Sequence, residues 1–244
     1  MLIAAAVCPH PPLLLPEMAG TAAGELDGLR DACFQAARWL LAADSAVLVV
    51  VGEGAVTRRY PAESAGNMRP YGLDLTIGPG PAVLPLSLTV GRWLLDRTGG
   101  EAAAFQAVTD ETGRDECLAL GRELAGSAER VGLLVMGDGS ACRDEKAPGY
   151  FDPAAEGFDA SVARALRNAD AAALAALDPV RARDLQAAGR AAWQVLAGAA
   201  SFDGHAATAG ADIDHQDRFQ AALLADQAPY GVGYFVASWL PALS

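Results

Sequence analysis

The sequence predicts one α/β domain over residues 1–244, with a mostly parallel or mixed central sheet and helices on both faces. Three observations predict it. Apolar runs at Leu2–Val7, Ala46–Val51 and Val131–Met136 are strand-length and unbroken by polar residues, the pattern of strands buried on both faces. Stretches of helical periodicity fall between these runs, and alternating strands and helices layer helices over a sheet. No repeat at solenoid periods and no low-complexity linker divides the chain.

Taken in order, Leu2–Val7 is the first strand and Thr21 caps a helix over residues 21–43, with Leu26, Leu29, Phe34, Ala37 and Leu41 on one side. The second strand stops at Gly52-Glu53-Gly54. Residues 60–82 are rich in glycine and proline and read as a long loop carrying one short strand, Leu73–Ile77. Leu84–Arg97 and Asp115–Arg130 read as helices, and the third strand ends at Gly137-Asp138-Gly139-Ser140. After a loop with Pro148, Gly149, Tyr150 and Pro153, short helices are expected at Phe158–Arg167 and Asp170–Leu177. A longer one follows at Arg181–Leu196, with Leu185, Ala188, Ala192 and Leu196 on its face. Residues 201–218 set His205 and His215 among Asp203, Asp212, Asp214 and Asp217, as an acidic loop or a site lid. Tyr230–Val236 is the closing strand.

Composition excludes several classes. The net charge is −12 and Lys146 is the sole lysine, so the surface cannot neutralise phosphates as a nucleic-acid or anionic-membrane binder must. No apolar run reaches a membrane span, and no basic region precedes residues 2–7 as in a signal peptide. Cys8, Cys33, Cys117 and Cys142 form no C-x-x-C pair, which removes zinc-ribbon and thioredoxin-like readings. A cytoplasmic protein with reduced thiols is expected, and a homodimer is the default assembly.

Chemistry gathers at the strand ends. In an open α/β sheet, ligands bind outside the carboxyl ends of the strands. The three apolar strands lead to His10 on a proline-fixed turn, to Glu53 between glycines, and to Asp138-Gly139-Ser140. Proline fixes φ and removes a donor, so Cys8-Pro9-His10-Pro11-Pro12 holds the imidazole in one direction. Asp138 suits a metal or a hydroxyl, or serves only an Asx-type turn, and Ser140 a nucleophile, although Gly-Asp-Gly-Ser is not G-x-S-x-G. Glu53 suits a ligand or base, and no phosphate-binding G-x-x-x-x-G-K-[ST] is present. Arg143, Tyr150 and Tyr230 are candidates for substrate-binding walls.

Together the strand into Pro9-His10-Pro11, the strand ending after Val51, the Gly-Asp-x-Ser turn at 137–140 and the closing Tyr230–Ala237 segment resemble a known family. It is the class III extradiol ring-cleavage dioxygenase superfamily, catalytic-subunit type, which also contains the Memo-like proteins. Within it the chain is most like an alanine-rich actinobacterial branch, and the resemblance spans most of the chain. It implies a mixed α/β fold and, in active members, a non-haem Fe(II) held by two histidines and a carboxylate, with a further histidine as acid/base. His10 falls on the first ligand position. The second ligand position reads Gly52-Glu53-Gly54, the acid/base position reads Ala141, and the C-terminal strand offers no obvious carboxylate.

The expectation is therefore a dioxygenase-like protein with a degenerate metal site. Its strand-end cleft would bind a small molecule or a partner, with no bound cofactor in place of Fe(II). Two alternatives stay open: an active Fe(II) dioxygenase with ligands rearranged through Glu53, His205 or His215, and a metal-free hydrolase using the Asp138/Ser140 turn.

Overall fold

In the computed structural model, which describes residues 1–202 and 218–242, the N-terminal apolar run forms β1 (Leu2–Cys8). β1 pairs in parallel with β7 (Val131–Met136), β7 with β2 (Val47–Glu53), and β2 with β6 (Ala104–Val108). Antiparallel strands complete the sheet at both margins. β3 (Arg58–Pro61) lies beside β6, while β9 (Tyr234–Pro241) pairs with β1 and β8 (Phe219–Gln227) with β9. The result is a seven-stranded mixed sheet in the order β3-β6-β2-β7-β1-β9-β8. The protein is thus an α/β fold. The expected strand at Leu73–Ile77 contracts to β5 (Thr76–Ile77), which pairs only with β4 (Gly66–Asn67).

Side chains alternate across a strand, and that alternation sorts the core into two layers. Ala5, Val7, Leu133 and Val135 face one side of the sheet. There they pack against α4 (Arg114–Gly126), α5 (Ala155–Arg167), α6 (Ala171–Ala175) and α8 (Arg190–Ala200), through residues such as Leu124, Val162, Leu174 and Leu196. Ala4, Ala6, Leu134 and Met136 face the other side, toward α2 (Asp27–Ala42) and α3 (Leu86–Thr98), through Leu29, Cys33, Leu88 and Leu94. Helices α4 and α8 meet almost backbone to backbone. A Cβ on Gly121 would lie 2.0 Å from the Val195 carbonyl oxygen, and one on Gly198 would lie 2.2 Å from that of Leu118.

Several expected boundaries change. The helix expected from Thr21 begins at Asp27, because Gly20–Leu26 winds as a 3₁₀ segment, and Thr21 is not its cap. The long helix expected at Arg181–Leu196 is two: α7 (Pro179–Asp184) and α8, separated where Gln186 takes a left-handed φ of 51° before Gly189. Tyr230 is outside the closing strand, in a Pro229–Gly231 turn with φ 60°. Strands β3, β4, β6 and β8 are additions to the sequence reading. The stretch holding His205 and His215 is, over residues 203–217, outside the described residues.

Candidate functional site

Four parallel strands end along one edge of the sheet, and each delivers an ionisable side chain. In spatial order these are Asp110 after β6, Glu53 closing β2, Asp138 after β7 and His10 after β1. The edge is the ligand position of open α/β sheets.

His10 is 6% exposed. Its backbone N–H donates to Asp138 Oδ1 at 2.8 Å, and its Nδ1 stands 3.6 Å from the same oxygen. That contact is electrostatic rather than a made hydrogen bond, and Nδ1 has no hydrogen-bond partner. Burial raises the Asp138 carboxyl above the usual carboxylate range, with the His10 charge and N–H pulling the other way.

Glu53 is held by its neighbours' lack of side chains. A Cβ on Gly52 would lie 2.5 Å from Ser87 Oγ, and one on Gly54 would lie 2.9 Å from the Ala107 Cβ. The two glycines therefore let the first turn of α3 and strand β6 close around this residue. Ser87 Oγ locks the approach by donating to the Glu53 carbonyl at 2.6 Å. Burial, then the charges of Asp110 and Asp138, push the Glu53 carboxyl up to about 7, against a lowering by Arg190.

Two cavities share this edge. One of about 520 Å³ is lined by His10, Glu53, Tyr71, Ser87, Asp110 and Glu111. The other, about 270 Å³, is lined by Glu53, Asp110, Arg183, Gln186, Ala187 and Arg190, among others. Glu53 and Asp110 form walls of both. A hydrogen-bonding ligand in the first would meet an imidazole and three carboxyl groups. One of those, Glu53, exchanges its proton near neutrality.

Other candidates have structural work. Ser140 is fully buried; its Oγ donates to the Leu185 carbonyl at 3.2 Å and accepts from the Cys142 N–H at 3.0 Å. In this arrangement the hydroxyl has no access to solvent and serves the turn, whereas the hydrolase reading of Asp138/Ser140 needs it free. Arg143 pairs with the buried Asp159 at 3.0 Å, and Asp159 in turn accepts the Ser140 N–H at 2.8 Å. Tyr150 is 77% exposed, and Tyr230 donates to Glu25 at 2.6 Å on the surface. Arg143, Tyr150 and Tyr230 are not among the residues lining these two cavities. All four cysteines are buried and free.

Sequence reading missed Asp110, Ser87 and Arg190. Asp110 follows β6, a five-residue strand whose Gln106 interrupts the apolar run. Arg190 opens α8, inside a stretch that reads as one longer helix. The signals were the Thr109-Asp110 pair after Ala104–Val108 and the glycine directly before Arg190.

The described residues do not fit the Fe(II) set that the resemblance implies. His10 is the sole histidine among the described residues, and no group of three or more His, Cys, Asp or Glu side chains there is placed to hold a metal. Among the same residues no helix is long and apolar enough to cross a membrane.

Fold and edge thus define an α/β protein with an acidic, histidine-bearing strand-end cleft. The chain is similar over 98% of its length to the crystal structure of the uncharacterised Escherichia coli K12 protein JW3007, of which it covers 99%, at 14% identity and a TM-score of 0.52. That likeness bears on the fold alone. No protein-family model matches the chain, and no curated protein does.

Proposed function

We propose that the protein is extradiol-dioxygenase-like and that its strand-end cleft binds a small polar molecule without iron-dependent ring cleavage. One observation carries this reading: a buried His10, steered by Asp138, faces the same cavity as Glu53. The resemblance calls for histidines near Glu53 and at Ala141, and neither is there. What remains suits hydrogen bonding and proton exchange with a ligand better than coordination of a metal. His10 presents an imidazole whose Nδ1 stands 3.6 Å from the Asp138 carboxylate, and Glu53 is poised to donate or accept.

Ligand-observed NMR with a library of small polar acids, amines and polyols tests the proposal. Binders are expected in the wild type and are expected to be lost in both His10→Ala and Glu53→Gln. Binders indifferent to both substitutions would contradict it.

A further inference from the structure

Arg190 is 3% exposed, and a buried guanidinium normally sits against a carboxylate, because an unpaired charge is costly to bury. Here it does not. Nη1 donates to the Thr112 carbonyl at 2.8 Å and to Gln194 Oε1 at 3.0 Å, and lies 3.9 Å from Cys117 Sγ. Nη2 donates to the Asp110 carbonyl. These are neutral acceptors, and no ion pair to Arg190 is found among the described residues. A guanidinium has five N–H donors in a fixed plane. Three are used, which leaves Nε–H and one Nη2–H, on neighbouring nitrogens, without an acceptor among those residues.

The side chain is held firmly. Gln194, one turn along α8, is itself fully buried and anchored through its Nε2 to the Ala175 and Leu177 carbonyls at 3.1 and 2.9 Å. Arg190 lines the 270 Å³ cavity, and so do Ala187, Ala188 and Ala191 around the first turn of α8. The backbone N–H groups of a helix's first turn lack intrahelical acceptors and carry the positive end of its dipole. An immobilised guanidinium that makes no direct ion pair among the described residues and a helix N-terminus therefore meet in one small cavity. That cavity shares the Glu53–Asp110 wall with the His10 cleft.

We propose that this cavity is a carboxylate subsite, in which Arg190 grips the acid group of a small organic acid whose remaining polar part reaches the His10–Glu53 cleft. Two donors on neighbouring nitrogens match the two oxygens of a planar carboxylate. A carboxylate brings one negative charge to a wall that already holds the Glu53 and Asp110 carboxyls, and a doubly charged phosphate would meet more repulsion from them. Arg183, also on the wall, is within 4.0 Å of Asp110 and is already partnered. The inference rests on the cleft reading above and adds the chemical class of its ligand.

The test is calorimetric titration of the folded protein with benzoate, its neutral isostere benzamide, and inorganic phosphate. It compares the wild type with Arg190→Lys and Ala188→Leu. Benzoate is expected to bind wild type at least roughly tenfold tighter than benzamide or phosphate, and to weaken roughly tenfold or more in Arg190→Lys, where the two-pronged fork is gone. Ala188→Leu fills the cavity without touching Arg190 and is expected to abolish binding, so the proposal stays testable should Arg190→Lys not fold. Benzoate binding no better than benzamide or phosphate would overturn the subsite. So would benzoate binding unchanged in the variants, or no benzoate binding at all. If polar ligands still bind the cleft and still depend on His10 and Glu53, the subsite alone has failed. If those are lost too, the cleft reading has failed with it.

Discussion

Glu53 carries an energetic penalty that function explains better than folding does. A carboxyl with a folded pKa of about 7 and an ordinary value of 4.5 holds its proton more tightly in the folded chain than in the unfolded one. Stability is therefore greatest below pH 4.5, falls as pH rises through 7, and stays lowered above it. Allowing for the solvent that reaches this residue, the penalty at pH 8 is about 2 kcal/mol. Glu53→Gln is expected to remove it: urea melts should show the variant more stable than wild type at pH 8 by about that amount, and the two converging below pH 4.5. Equal pH dependence in both proteins would mean that Glu53 is ordinary. Asp138 is raised for the same first reason, burial, but it gains the His10 N–H in return, so its charge has a structural partner that Glu53 lacks.

The elements show which features of the sequence were legible. β1, β2 and β7 read directly because continuous apolar runs have one use in an α/β chain, and β7 came out with its bounds unchanged. His10, Glu53 and Asp138 were found with them, as the residues that follow such runs. β6 was illegible because five residues including a buried glutamine give no periodicity, and Asp110 was lost with it. The break between α7 and α8 hid behind an apolar face that runs through Gly189. Only the fold shows its use: the Leu185 carbonyl, freed by the break, receives the Ala141 N–H at 3.0 Å and the Ser140 hydroxyl. The hydrogen bonds of Ser140 were hidden for a related reason, since a serine after a strand-end Asp-Gly looks the same in sequence whether its hydroxyl faces a cleft or a carbonyl.

The α4–α8 contact makes the sharpest prediction at this scale. At Gly121 and Gly198 an added Cβ would meet backbone atoms, which have no flexible side-chain end to yield. Gly198→Ala is expected to cost about 3 kcal/mol or more by chemical denaturation. Because α8 carries Arg190, it is also expected to weaken ligand binding in the smaller cavity. A variant as stable as wild type would show that the two helices are not packed this closely.

For the molecule as a whole, a mixed α/β sheet carries an acidic, histidine-bearing edge at its strand ends. The sheet brings four strand ends together in a chain of net charge −12. Of the positions the resemblance singles out, the first ligand position keeps His10, while Glu53 at the second ligand position and Ala141 at the acid/base position stand where histidines are expected. The central claim is that this edge binds a small molecule without iron. Elemental analysis tests it most directly, on protein reconstituted anaerobically with Fe(II), Mn(II) and Zn(II), wild type beside His10→Ala. The account predicts no stoichiometric metal in either protein. About one metal per chain in the wild type, lost in His10→Ala, would contradict it and restore a working metal-dependent oxygenase with rearranged ligands.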